Sequence, residues 1–145
     1  MMSSPASYLM RVRYYETDQM GIVHHSNYIR WMEEARIHVM REGGASLRSL
    51  EDAGIQVPVT AVSCEYVRPA RFDDVIRIEI LPVRYNGVRM ELDYRILREQ
   101  DGALLAEGHS SHCFLDGQTG RPVSMKRRSP DFHRVFGDLF SANEE

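Results

Sequence analysis

Residues 26–44 read SNYIRWMEEARIHVMREGG, and their spacing predicts the long helix around which the chain is organised. Tyr28, Met32, Ala35 and Val39 fall at i, i+4, i+7 and i+11, a single apolar stripe at the helical period. Trp31, Ile29 and Met40 widen the stripe. Ser26 or Asn27 is the expected N-cap, and Gly43 and Gly44 stop the helix after Arg41, so the helix is read over Tyr28–Arg41. A helix with one apolar face must bury that face, and the flanking segments decide against what.

Downstream, a second, shorter helix is expected over Ser46–Ala53, ending at Gly54. The period then changes to that of strands: Val57–Val67, Val75–Tyr85, Val88–Arg98 and Leu104–Leu115. Arg68–Asp74 reads as a turn. Asn86-Gly87, Asp101-Gly102 and Asp116-Gly117 are strong hairpin signals. Pro69 and Pro82 mark strand edges or bulges. The tail, Ser129–Phe140, reads as a short terminal helix. Upstream lie a strand, Tyr8–Tyr15, and an irregular loop, Glu16–Ser26, that holds Gly21. Strand, loop, long helix and four strands make an α+β domain: an antiparallel sheet wrapped around one long helix. An open curved sheet leaves long edges, so at least a dimer is expected.

The 145 residues show no repeat, low-complexity tract or linker, and read as a single domain over 1–145. The formal net charge of −3 argues against a general nucleic-acid binder, which would carry a basic excess. Cys64 and Cys113 sit in strand-like segments without CxxC spacing and read as reduced thiols of a cytoplasmic protein. Met1–Met10 has neither a basic start nor a long apolar stretch, so it is not read as a signal peptide. No apolar run approaches the ~20 residues of a membrane span.

The stretch Arg13-Tyr14-Tyr15-Glu16-Thr17-Asp18-Gln19-Met20-Gly21-Ile22-Val23-His24-His25-Ser26-Asn27-Tyr28 resembles the signature of the 4-hydroxybenzoyl-CoA thioesterase-like hotdog family, nearest to the branch of acyl-CoA thioesterases that includes the Tol–Pal-associated enzymes. Trp31-Met32-Glu33-Glu34-Ala35-Arg36 resembles that family's first helix. Tyr66-Val67-Arg68-Pro69-Ala70-Arg71-Phe72-Asp73-Asp74 resembles its turn between the second and third strands. The resemblance spans about residues 9 to 125. It implies a hotdog fold, a dimer that often pairs into a tetramer, and hydrolysis of CoA thioesters without metal or cofactor. By residue match, the catalytic aspartate falls on Asp18, and the backbone amide that polarises the thioester carbonyl falls on His25. His24 departs from the pattern, since many members carry Tyr or Phe there.

Those residue types suit the chemistry. Thioester hydrolysis needs a nucleophile or base and a stabiliser for the charge that develops on the carbonyl oxygen. Asp18 can attack to give a mixed anhydride or can deprotonate water. The bland reading of such a loop carboxylate is a turn bond to its own backbone. Gly21 lets the loop turn tightly. The amides of His25, Ser26 and Asn27 then enter the helix, where unpaired donors and the dipole favour negative charge. The His25 imidazole either touches the carbonyl or Asp18, or packs at the helix start. Asn27 reads more readily as a loop brace than as a catalytic group. Tyr28 is placed beside the substrate, and Arg68, Arg71 and the run Lys126-Arg127-Arg128 are candidates for the CoA phosphates. Glu33 and Glu34 read as a solvated helix face. Glycine, serine and histidine at 108–112 begin like a nucleophile elbow but lie mid-strand. His109 and His112, three apart in a strand, point to opposite faces and cannot converge on one metal ion. A hydrolase acting on acyl-carrier protein, and a non-enzymatic acyl-CoA binder, are the competing readings.

Overall fold

The computed structural model describes residues 5–141, so Met1–Ser4 of the amino-terminal segment lie outside the described residues. β1 (Ala6–Arg11) opens the chain. α1 (Ser26–Glu42), α2 (Leu47–Asp52) and the two-residue β2 (Ile55–Gln56) follow. β3 (Val59–Tyr66), β4 (Val75–Tyr85), β5 (Arg89–Arg98) and β6 (Leu104–Cys113) are the long strands. β7 (Leu115–Asp116), α3 (Met125–Arg128) and α4 (Pro130–Ser141) end it.

β1, β4, β5, β6 and β3, in that order, form an antiparallel five-stranded sheet. The hairpin signals at Asn86-Gly87 and Asp101-Gly102 join β4 to β5 and β5 to β6. At the first of these, the Asn86 side-chain oxygen accepts the amides of Val88 and Arg89 at 3.0 and 2.8 Å. The turn at Arg68–Asp74 and the hairpin signal at Asp116-Gly117 do not join neighbouring strands of this sheet. Arg68–Asp74 does not turn β3 back onto β4; it crosses from β3 at one edge to β4, which pairs with β1. The Asp116-Gly117 turn serves a separate two-stranded sheet of β2 and β7.

Alternation along the strands builds the core. Ile76, Ile78 and Ile80 of β4 and Met90, Leu92, Tyr94 and Ile96 of β5 are buried and face α1, while the residues between them face outward. From α1 the stripe Tyr28, Trp31, Met32, Ala35 and Met40 meets them. Ile29 stands apart from the stripe, 41% exposed. Contact is close at Gly108 of β6, where any Cβ would overlap the Met32 sulfur. That glycine therefore lets the helix lie down on the sheet. Behind it runs a buried polar chain: Arg36 donates to the Tyr94 hydroxyl at 3.2 Å, Tyr94 bonds Ser110 at 2.6 Å, and Ser110 bonds His112 Nε2 at 2.8 Å. His109 points to the outer face and bonds Asp93 at 2.6 Å, so the two histidines do lie on opposite faces.

The first strand is shorter than the sequence suggests, because a 3-10 turn at Tyr14–Glu16 replaces its end. Glu16 folds inward and accepts the Arg13 amide at 2.7 Å, which a continuing strand could not allow. No helix among the described residues is long and apolar enough to cross a membrane. Cys64 and Cys113 are free thiols.

Candidate active site

The loop before α1 is held by one buried carboxylate. Glu16, 5% exposed, accepts the Trp31 indole N–H at 2.8 Å through the oxygen not used by the Arg13 backbone amide. Its backbone carbonyl accepts the His24 amide and the Asn27 side-chain amide, both at 2.9 Å. The interior reading of Glu16 escaped the sequence, where it stood only as the first residue of an irregular loop. The signal that could have found it is an acidic residue fifteen positions before a tryptophan on the buried stripe.

Within this frame Asp18 and Gly21 form a tight turn. The Asp18 amide donates to the Ile22 carbonyl at 2.9 Å, and the Gly21 amide to the Asp18 carbonyl at 3.0 Å. Gly21 has φ +78°, a conformation that glycine adopts without strain. One Asp18 oxygen accepts the Met20 amide at 2.8 Å. The turn bond of the bland reading is therefore present, but it occupies only one oxygen. The other has no hydrogen-bond partner among the described residues.

The N-cap of α1 is His25, not Ser26 or Asn27, which already lie in the first turn. The reason is His24: its Nδ1 accepts the Ser26 amide at 3.2 Å and bonds the Ser26 hydroxyl at 2.8 Å, so an imidazole caps where a hydroxyl was expected. The Asn27 amide donates to the His24 carbonyl at 3.0 Å. Of the three amides nominated at the helix entrance, those of Ser26 and Asn27 are thus engaged. That of His25 has no acceptor among the described residues. The His25 ring is exposed and stacks on His24 with centroids 4.2 Å apart.

Asp18 and His25 line one cleft of ≈ 340 Å³, together with Met20, Ile22, Val23, Tyr28, Tyr66, Val67, Arg68 and Pro69. The Tyr28 hydroxyl accepts the Ala70 amide at 3.1 Å, and burial pushes its pKa up, so it stays a neutral anchor. Tyr66, not singled out from the sequence, donates its hydroxyl to the His25 carbonyl at 3.0 Å. Arg68 lines the cleft, and Arg71 reaches the Gly21 carbonyl at 3.5 Å.

The basic run lies elsewhere. The register puts Tyr66, Ala106, Ile96 and Ile78 in one row across the sheet, and Val59, His112, Met90 and Tyr85 in another. The cleft lies at the Tyr66 row. Met125 bonds the Gly87 carbonyl, beyond the Tyr85 row. Lys126, Arg127 and Arg128 are therefore at the far end of the sheet from the cleft. Arg128 is also committed to Asp116, at 2.6 Å, and to the Ala53 and Gly54 carbonyls. Glu33 and Glu34 are exposed and do not line the cleft; they bond Arg36 and Tyr8. Ser110 is buried between Tyr94 and His112, not presented at a turn as an elbow nucleophile would be.

The family model described as the thioesterase-like superfamily matches residues 12–135. YneP of Bacillus subtilis is 32% identical over 127 residues, which span 88% of this chain and 91% of that one. The acyl-CoA thioester hydrolase YbgC of Escherichia coli O6:H1 is 29% identical over 120 residues, 83% of this chain and 85% of that one. A crystal structure of a DHNA-CoA thioesterase from Staphylococcus aureus superposes with a TM-score of 0.89 at 28% identity, covering 95% of this chain and 92% of that one. The sheet wrapped around α1 is the hotdog fold, and the chain belongs to the thioesterase-like superfamily.

Proposed function

We propose that the chain hydrolyses an acyl-CoA to the free acid and CoA, with Asp18 as nucleophile or general base and the His25 amide as the oxyanion donor. At the level of the family the activity is thioester hydrolysis. The observation that carries the finer reading is that one cleft is lined by both Asp18, whose carboxylate has an uncommitted oxygen, and His25, whose amide has an uncommitted N–H.

With the thioester carbonyl oxygen on the His25 N–H, the carbonyl carbon is open to attack from the Asp18 side. In the general-base route Asp18 takes a proton from water as the oxygen adds to carbon. The tetrahedral intermediate then expels the CoA thiolate, and the proton passes to sulfur. In the nucleophilic route the Asp18 oxygen adds first, thiolate leaves, and water cleaves the resulting anhydride. Both routes place the same charge on the same oxygen, where a preset donor is worth about 3–4 kcal/mol. Neither route requires a cofactor. Arg68 and Arg71, beside the cleft, are the candidates for the CoA phosphates.

The site is read as completed by a second copy. β3 is an edge strand of eight residues, exposed along nearly its whole length, with Val59, Val62 and Tyr66 at 47%, 41% and 47%. Pairing two β3 edges about a two-fold axis would satisfy both rows of backbone groups in a homodimer, the unit from which a homotetramer could be built. Such pairing is antiparallel, so it turns the Val59 end of one subunit toward the cleft of the other. A cytoplasmic setting, where free thiols stay reduced, suits Cys64 and Cys113.

Thiol release from a panel of short, long and aromatic acyl-CoAs tests the reading. Turnover of at least one is expected; release from none of them, with acyl-carrier-protein thioesters cleaved instead, would replace CoA as the carrier.

A further inference from the structure

We propose that Asn27 and Tyr66 are positioning residues that fix the two peptide planes flanking His25 and thereby aim its amide into the cleft. This rests on the reading of that amide as the oxyanion donor.

A trans peptide is planar, and its C=O and N–H point in opposite directions. The N–H of His25 shares its plane with the C=O of His24. That carbonyl accepts two bonds from Asn27, one from its backbone amide at 3.0 Å and one from its side-chain Nδ2 at 3.3 Å. Asn27 is 8% exposed, and the same Nδ2 also donates to the Glu16 carbonyl at 2.9 Å. The carbonyl of His24 is therefore pulled toward the interior, and the N–H on the opposite edge of the plane is turned away from Asn27.

The next plane carries the His25 carbonyl. Its helical acceptor bond, from the Tyr28 amide, is long at 3.3 Å. The shorter bond comes from outside the helix, from the Tyr66 hydroxyl on β3 at 3.0 Å. The Tyr66 ring is itself held edge-on against Tyr28, with centroids 5.0 Å apart and planes at 85°. His25 is thus gripped on one side by its own helix and on the other by the edge strand. An oxyanion donor contributes most when its direction is set before the reaction begins, and these two side chains set it.

Tyr66→Phe tests the proposal most cleanly, because it keeps the ring and deletes only the hydroxyl. Its kcat should fall about 5–20-fold, less than for outright loss of a donor. KM and the affinity for a non-hydrolysable CoA thioether should stay within about twofold, since the ground state gains little from the donor. Asn27→Ser should fall further. The double variant should lose less than the product of the two effects, because both act through one amide. Tyr8→Phe, which deletes an equivalent hydroxyl bond to Glu34 on the outer face of α1, is the control and should leave kcat unchanged. The free protein offers a readout independent of activity: the His25 amide cross-peak in a ¹H–¹⁵N spectrum should move in Tyr66→Phe and not in Tyr8→Phe. A cross-peak that stays in place overturns the proposal even if no acyl-CoA is turned over. So does wild-type kcat in Tyr66→Phe, or a loss confined to KM, in an enzyme that does turn over. A wild-type protein inert toward every acyl-CoA, with the cross-peak shifted in Tyr66→Phe, would instead overturn the functional reading and leave the positioning role standing.

Discussion

The Trp31 indole N–H donates to the Glu16 carboxylate at 2.8 Å, so the second turn of α1 is tied to the loop that carries Asp18. Both partners are buried. Glu16→Ala leaves that indole and the Arg13 amide without their acceptor. Stability should drop by about 2–3 kcal/mol, seen as a lower urea midpoint at unchanged slope. Activity should drop beyond what the folded fraction explains, since the Glu16 segment also anchors His24 and Asn27.

Asp18→Asn should lose turnover by roughly 10²–10⁴-fold while folding and binding ligand normally. An Asn side chain can still accept the Met20 amide, so the turn survives and the loss reports chemistry. Near-normal kcat in this variant would take Asp18 out of the mechanism.

His25→Ala should retain more activity than Asp18→Asn, because the donor is the backbone amide and alanine keeps it. An imidazole acting as acid or base predicts the reverse: equal damage, and loss of a limb of the pH–rate profile together with the imidazole. Measuring kcat/KM against pH for the two variants separates these outcomes.

Gly108→Ala should destabilise the fold by about 1–3 kcal/mol, because the new methyl group meets the Met32 sulfur in a closed core. Met32→Ala should cost less in the Gly108→Ala background than in the wild type, a coupling that a thermal or urea double-mutant cycle would read directly.

His112 makes stability depend on pH. Burial, with the charges of Arg36 and His109 adding to it, pushes its imidazole down to about 4. The unfolded chain takes up a proton near pH ~6.5. Stability from the neutral imidazole is therefore complete above that value and declines as the pH falls toward 4, by up to ~1.4 kcal/mol per pH unit. Between pH 7 and pH 5 the wild type should lose about 2 kcal/mol more than His112→Gln, measured by urea unfolding of both proteins. Equal losses would mean that His112 takes up a proton as readily in the native state as in the unfolded chain.

Elements that depend on near neighbours were legible in the sequence. The stripe from Tyr28 to Met40 named the helix, because helical periodicity is local. Asn86-Gly87 and Asp101-Gly102 named their hairpins, because turn conformation belongs to the turn residues. The motif from Arg13 to Tyr28 pointed to Asp18 and His25, and both line the same cleft. What involved partners distant along the chain was decided by the tertiary structure. β3 could pair with β4 or with β6 on pattern alone, and a one-sided sheet leaves that choice to packing; it pairs with β6. Glu16 reads as a loop carboxylate until Trp31 supplies a buried donor for it. Ser26 and Asn27 read as caps until His24 takes their place and leaves the His25 amide as the uncommitted donor of the three. Tyr66 meets His25 only because β3 runs past the start of α1, 41 residues away in the chain. Lys126–Arg128 look equally available in the sequence, but strand register carries them to the far end of the sheet, and Asp116 claims one of them. A hydrogen bond or ion pair needs its partner within about 3–4 Å, and only the folded chain decides which distant residue comes that close.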